Sequence, residues 1–136
     1  MNLPSVATDN ITELLFKIIE FTQTRQKVLI RNINEIGRAD FIPKDLPVKE
    51  FCCALNTAID EHIRNQRLVL QDTENIKFGT NGSFTTEQIK DWSAQKLLNK
   101  DCDEYVELQI NKLLENSLNQ RIAAELLKHK QSAVVL

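Results

Sequence analysis

The side chains able to do chemistry are few, and their spacing suits none of the common reactions. The thiols are Cys52, Cys53 and Cys102, and His62 and His129 are the only histidines. Adjacent cysteines point to different sides of any helix or strand, and this set lacks the ligand spacing of a zinc site. An odd count is no disulfide framework, so free, buried thiols are expected. Glu61-His62 suggests an acid/base pair, yet sequence neighbours do not face each other on a helix, so a solvated face is expected. Asp101, Asp103 and Glu104 lack the alternating ligands, glycine and distant glutamate of a calcium loop and read as a helix start. Gly79-Thr80-Asn81-Gly82 lacks the lysine of a phosphate-binding loop and the glycine count of a dinucleotide fingerprint, and reads as a turn. Arg25, Lys27 and Arg31 form a basic patch inside a helix, which reads as surface charge. No catalytic centre, metal or cofactor is expected from these residues.

The elements that would position them follow from composition and period. The chain has 136 residues, 42% hydrophobic and 26% charged, with a net charge of −2. That length fits one domain, 1–136. The charge balance argues against general electrostatic binding of nucleic acid and against a polybasic membrane anchor. No run of about 18 apolar residues is present to span a bilayer. Only 3 Gly and 3 Pro argue against an all-β sandwich or barrel. Residues 1–10 have no basic stretch followed by an apolar one, so no cleavable secretory signal is expected.

Two long amphipathic helices are predicted, at about 8–36 and about 103–130. In the first, Ile11, Leu15, Ile18, Leu29 and Ile36 fall on an alternating four-three ladder, with Leu14, Phe21 and Val28 beside it. Thr8, Asp9 or Asn10 can cap it, and Gly37 marks its end. About 27 residues at 1.5 Å each reach roughly 40 Å, which calls for a long partner. In the second, Val106, Ile110, Leu114, Leu118, Ile122 and Leu126 step by four, with Leu113 and Leu127 alongside. Asp101 caps it and Glu104 can reach back. The fold class is therefore mainly α, the terminal helices paired through their apolar stripes in a coiled-coil-like bundle. Between them, at about 37–100, Pro43 and Pro47 mark an extended connector. A middle helix then carries Phe51, Leu55, Ile59 and Ile63 towards Leu70. A short hairpin around Asn81-Gly82 follows, and a short helix capped by Thr85 or Thr86 contains Ile89, Trp92, Leu97 and Leu98.

The stretch Thr24-Arg25-Gln26-Lys27-Val28-Leu29-Ile30-Arg31-Asn32-Ile33 resembles the N-terminal helix of bacterial flagellar rod proteins, in particular the proximal rod (FlgB) family. Phe41-Ile42-Pro43-Lys44-Asp45-Leu46 looks like the segment that follows the family's Gly-Tyr. Leu113-Leu114-Glu115-Asn116-Ser117-Leu118, with Ala124, Leu126 and Leu127, is similar to its Leu-Ala-Glu-Asn-Ser-Leu ending. The likeness covers about 50 to 60 residues at the two ends. Asn34-Glu35-Ile36-Gly37-Arg38-Ala39-Asp40 stands where the family carries its Ala-Asn…Thr-Pro-Gly motif.

The resemblance implies a structural subunit of the flagellar basal-body rod, without enzymatic activity. It implies type III export without a cleaved signal, a place in the periplasmic rod, and self-assembly with other rod subunits and with rod-base and export-gate proteins. The assembly interface it suggests is Leu14, Ile18, Phe21, Val28, Asn32 and Ile33 on the first helix, and Ile110, Leu114, Asn116, Leu118, Ile122 and Leu126 on the last. Leu108 and Leu113 are expected to seek neighbouring subunits as well. The alternative is a cytoplasmic helical adaptor or chaperone-like module that buries the same stripes within one chain.

Overall fold

A computed structural model describes residues 9–79 and 84–135. Helix α1 spans Asn10–Asn34, and Asp9 caps it by accepting the Thr12 N–H at 2.7 Å. It stops short of Gly37, which does not adopt a left-handed backbone. Instead the Glu35 N–H donates to the Arg31 carbonyl at 2.9 Å and the Arg38 N–H to the Glu35 carbonyl at 3.0 Å. These bonds satisfy helix-end carbonyls without a glycine cap.

Pro43 to Leu46 runs extended through β1 (Lys44–Asp45), and Pro47 caps α2 (Val48–Asn65). Phe51 stacks on Phe21 of α1 with ring centroids 4.0 Å apart and planes 2° from parallel. Around them Val28, Leu46, Ala54, Ile76 and Phe78 complete the core. Helix α2 ends at Gln66, whose φ of 57° is left-handed, so Leu70 lies beyond the helix and packs on the core from a loop.

The hairpin pairs β2 (Ile76–Lys77) with β3 (Thr85–Thr86) in antiparallel register, Ile76 opposite Thr86. Its predicted Asn81-Gly82 turn falls outside the described residues. Glu50 of α2 holds the hairpin's entry, accepting from Thr73 Oγ1 at 2.6 Å, the Asn75 N–H at 3.1 Å and Asn75 Nδ2 at 2.6 Å. Thr85 and Thr86 are thus strand residues, not a helix cap. Ile89 also lies in a strand, β4 (Ile89–Lys90), which pairs with β1. Asp91 caps α3 (Trp92–Lys100), accepting the Ala94 N–H at 3.0 Å. Pairing with β2 claims residues 85–86 and pairing with the connector claims 89–90, so the helix starts later than its apolar spacing suggested.

Helix α4 spans Cys102–Val135, and Asp101 caps it through the N–H groups of Asp103 and Glu104, at 3.1 and 3.2 Å. It lies antiparallel along α1, Tyr105 meeting Asn32, Asn116 meeting Thr22, and Lys130 meeting Asp9. The mainly α fold with paired terminal helices and a small hairpin insertion is therefore the observed one. The turn at Gln66 places a side-chained residue in backbone space that costs roughly 1 kcal/mol outside glycine. Gln66→Gly should raise stability by about 0.5–1 kcal/mol in chemical denaturation, with the α2 helix content unchanged by circular dichroism.

Candidate functional site

The α1–α4 contact is a polar seam. A four-three ladder down α4 gives Tyr105, Gln109, Lys112, Asn116, Asn119 and Ala123, and of these Tyr105, Gln109, Asn116 and Ala123 are buried. The facing ladder of α1 contains Thr22, Arg25 and Asn32 between its apolar rungs, and all three are buried. Asn116 Nδ2 donates to the Thr22 carbonyl at 2.8 Å, and the Tyr105 hydroxyl to the Asn32 carbonyl at 2.8 Å. The Asn32 side chain accepts the Lys44 N–H at 3.0 Å and donates to the Lys44 carbonyl at 2.7 Å and to Gln109 Oε1 at 2.9 Å. Because Lys44 fixes which end of the Asn32 amide donates, Gln109 must accept. Its own Nε2 is left without a partner among the described residues.

Beside this lies an ionic cluster. Arg25 grips Asp45 with two bonds, Nε to Oδ1 at 2.8 Å and a terminal nitrogen to Oδ2 at 3.0 Å. Lys112 bridges Asp45 at 3.2 Å and Asp91 at 2.8 Å. Burial pushes the Asp45 carboxyl up, but the Arg25 bonds and charge, with Lys112 behind them, outweigh it and hold it below the usual range. Asp45 thus stabilises the fold above the carboxylate range, and that contribution is lost as pH falls through its lowered value. Arg25 therefore leaves the basic patch for the interior, while Lys27 and Arg31 are exposed.

With its polar edge turned inward, α4 presents its apolar residues outward. Ile110, Leu114, Leu118, Ile122 and Leu126 are 44, 64, 58, 49 and 51% exposed. The stripe-to-stripe packing expected of the terminal helices is therefore not what forms. At about 100° per residue, a step of four overshoots a turn by about 40°. The five residues consequently wind about 160° around α4 and cannot all face one straight partner. The expected interface residues divide accordingly. Leu14, Phe21, Val28, Asn32 and Asn116 are buried within the chain, and Ile18, Ile33, Leu108 and Leu113 are half-buried. Leu14, Phe21 and Val28 are thus closed to neighbouring subunits by the fold itself.

The outward stripe runs into a groove of about 300 Å³ between α1, α2 and α4, lined by Leu15, Ile18, Phe51, Leu55, Ile122 and Leu126. Cys52 reaches its rim. All three cysteines are free and exposed, contrary to the expected burial, because they lie on the solvent sides of α2 and the α4 start. Glu61 accepts from Asn65 and Arg67, and His62 Nδ1 lies 3.0 Å from Asn10 Nδ2, so the two serve separate local contacts. Among the described residues, no three His, Cys, Asp or Glu side chains gather to hold a metal ion, and no helix is long and apolar enough to cross a membrane.

Compared with protein-family models, curated proteins and solved structures, the chain finds no match in any of the three.

Asn32→Ala removes one buried side chain with three partners, and each stranded partner costs about 1–3 kcal/mol. Urea unfolding should show a loss of about 2–4 kcal/mol. The chain's single tyrosine gives a second test. Burial, with the charges of Asp91 and Cys102, pushes the Tyr105 hydroxyl from 10.0 up to about 12. Its contribution to stability is complete below pH 10.0 and lost as pH rises through about 12. Phenolate absorbance should therefore appear late, together with the loss of helical signal.

Proposed function

We propose that the chain is a structural subunit of the flagellar rod type, assembling through the outward face of α4 with copies of itself and with other rod, rod-base and export-gate proteins. In this reading it acts in the periplasmic rod after type III export, and it does no chemistry. One observation carries the proposal: α4 turns Tyr105, Gln109 and Asn116 towards its own chain and leaves Ile110, Leu114, Leu118, Ile122 and Leu126 about half exposed. An apolar run of this length on a rigid helix has the character of a contact surface. The Leu114-Glu115-Asn116-Ser117-Leu118 segment, part of the stretch that resembles the rod family's ending, joins both functions. Asn116 locks α4 to α1, while Leu114 and Leu118 face away.

A second reading, a cytoplasmic adaptor or chaperone-like module that holds a partner helix, is favoured by the apolar groove between α1, α2 and α4. The two place the partner differently, on the back of α4 or beside it.

Leu118→Asp separates them. Because Leu118 is 58% exposed, the substitution should change the isolated chain's stability by no more than about 0.5 kcal/mol. Expression and export should be intact, and motility of the host strain abolished. Normal swimming by a strain carrying only Leu118→Asp would overturn the rod reading. Loss of partner binding on Leu55→Asp, with Leu118→Asp silent, would favour the adaptor.

A further inference from the structure

The β1–β4 ladder sets Lys44 directly opposite Lys90. Like charges at directly opposed positions destabilise a strand pair, and both side chains are exposed. They line one cleft of about 260 Å³ together with Arg31 and Arg38, over an apolar floor that includes Val28 and Phe41. Asp40 lines the same cleft, and Glu35 pairs with Arg31 at 3.8 Å and Arg38 at 3.4 Å. Among the described residues, no carboxylate lies within ion-pairing distance of Lys44 or Lys90. The Lys90 ammonium sits instead 5.5 Å from the Trp92 ring centre. The cleft thus keeps an excess of positive charge in a chain whose net charge is −2.

The complementary surface is on the same chain. Asp103 and Glu107 are exposed at the start of α4 and, among the described residues, have no ion-pair partner. Eleven and seven residues before Leu114, they lie within about 20° of it around the helix. They therefore form an acidic head on the outward apolar face of α4. That head points away from α1, whereas the cleft is built from α1, the connector and β4, so one chain cannot close the contact on itself.

We infer that the basic cleft of one copy receives the acidic head of α4 from a second copy, Lys44 and Lys90 pairing with Asp103 and Glu107. Such a contact joins two different surfaces, leaves one cleft and one head free, and so can propagate. It rests on the assembly role proposed for α4 and adds the docking site to it.

The test is a charge exchange followed by sedimentation of the full chain. Wild-type protein should self-associate, and high salt should weaken this by about tenfold or more through screening. Lys44→Glu/Lys90→Glu and Asp103→Lys/Glu107→Lys should each lose self-association while retaining the wild-type circular dichroism spectrum. An equimolar mixture of the two should recover it. Lys44→Gln/Lys90→Gln guards against misfolding and should also weaken the contact. Wild-type protein that stays monomeric at low salt, or charge variants that associate like wild type, would overturn the inference. If those variants associate normally while Leu118→Asp does not, the cleft is rejected and the assembly role of α4 stands.

Discussion

Everything in this fold depends on how Asn32 is held. Its amide binds both backbone groups of Lys44 and the side chain of Gln109, and its carbonyl takes the Tyr105 hydroxyl. One residue of α1 thereby fixes the connector strand and the rotational setting of α4. A buried polar group of this kind tolerates few alternatives, since any other register strands several donors or acceptors in the interior. Polar residues in a helix–helix seam are known to select register at some cost in stability. Here the selection extends to which side of α4 is left for the surroundings.

The ionic cluster repeats the same logic about two turns along α1. Arg25, Asp45, Lys112 and Asp91 tie α1, β1, α4 and the start of α3 into one network. Asp91 also caps α3, and its N–H donates to the Pro43 carbonyl at 2.8 Å. Three roles on one aspartate explain why α3 begins at Trp92, later than its hydrophobic pattern suggests. The apolar core lies mostly on the other side of α1, where Phe21 and Phe51 stack under the hairpin. Helix α1 is consequently used on two faces, apolar towards α2 and largely polar towards α4. Helix α4 turns its polar ladder towards α1 and leaves Ile110, Leu114, Leu118, Ile122 and Leu126 about half exposed.

The helical class, the two long terminal helices, the Asp101 cap and a short hairpin in the middle region were legible in the sequence, whereas Thr8, Asp9 and Asn10 were all candidates for the first cap and the fold uses Asp9. These depend on local spacing and capping chemistry, which act within a few residues. The four-three ladder of α1 was also legible, although its polar rungs Thr22, Arg25 and Asn32 carry the contact with α4. Which face of α4 turns inward was settled by the long-range packing of the folded chain. A ladder of six apolar residues stepping by four looks like a buried stripe, but it winds away from any straight partner. The straight ladder through Tyr105, Gln109, Lys112 and Asn116 is polar and reads as surface until its bonds to Thr22, Asn32 and Asp45 are seen. Those partners lie 67 to 94 residues away in sequence. Hydrogen-bond complementarity over such separations leaves no periodic trace in the chain, and that is why the exposed face of α4 became visible only in the folded molecule.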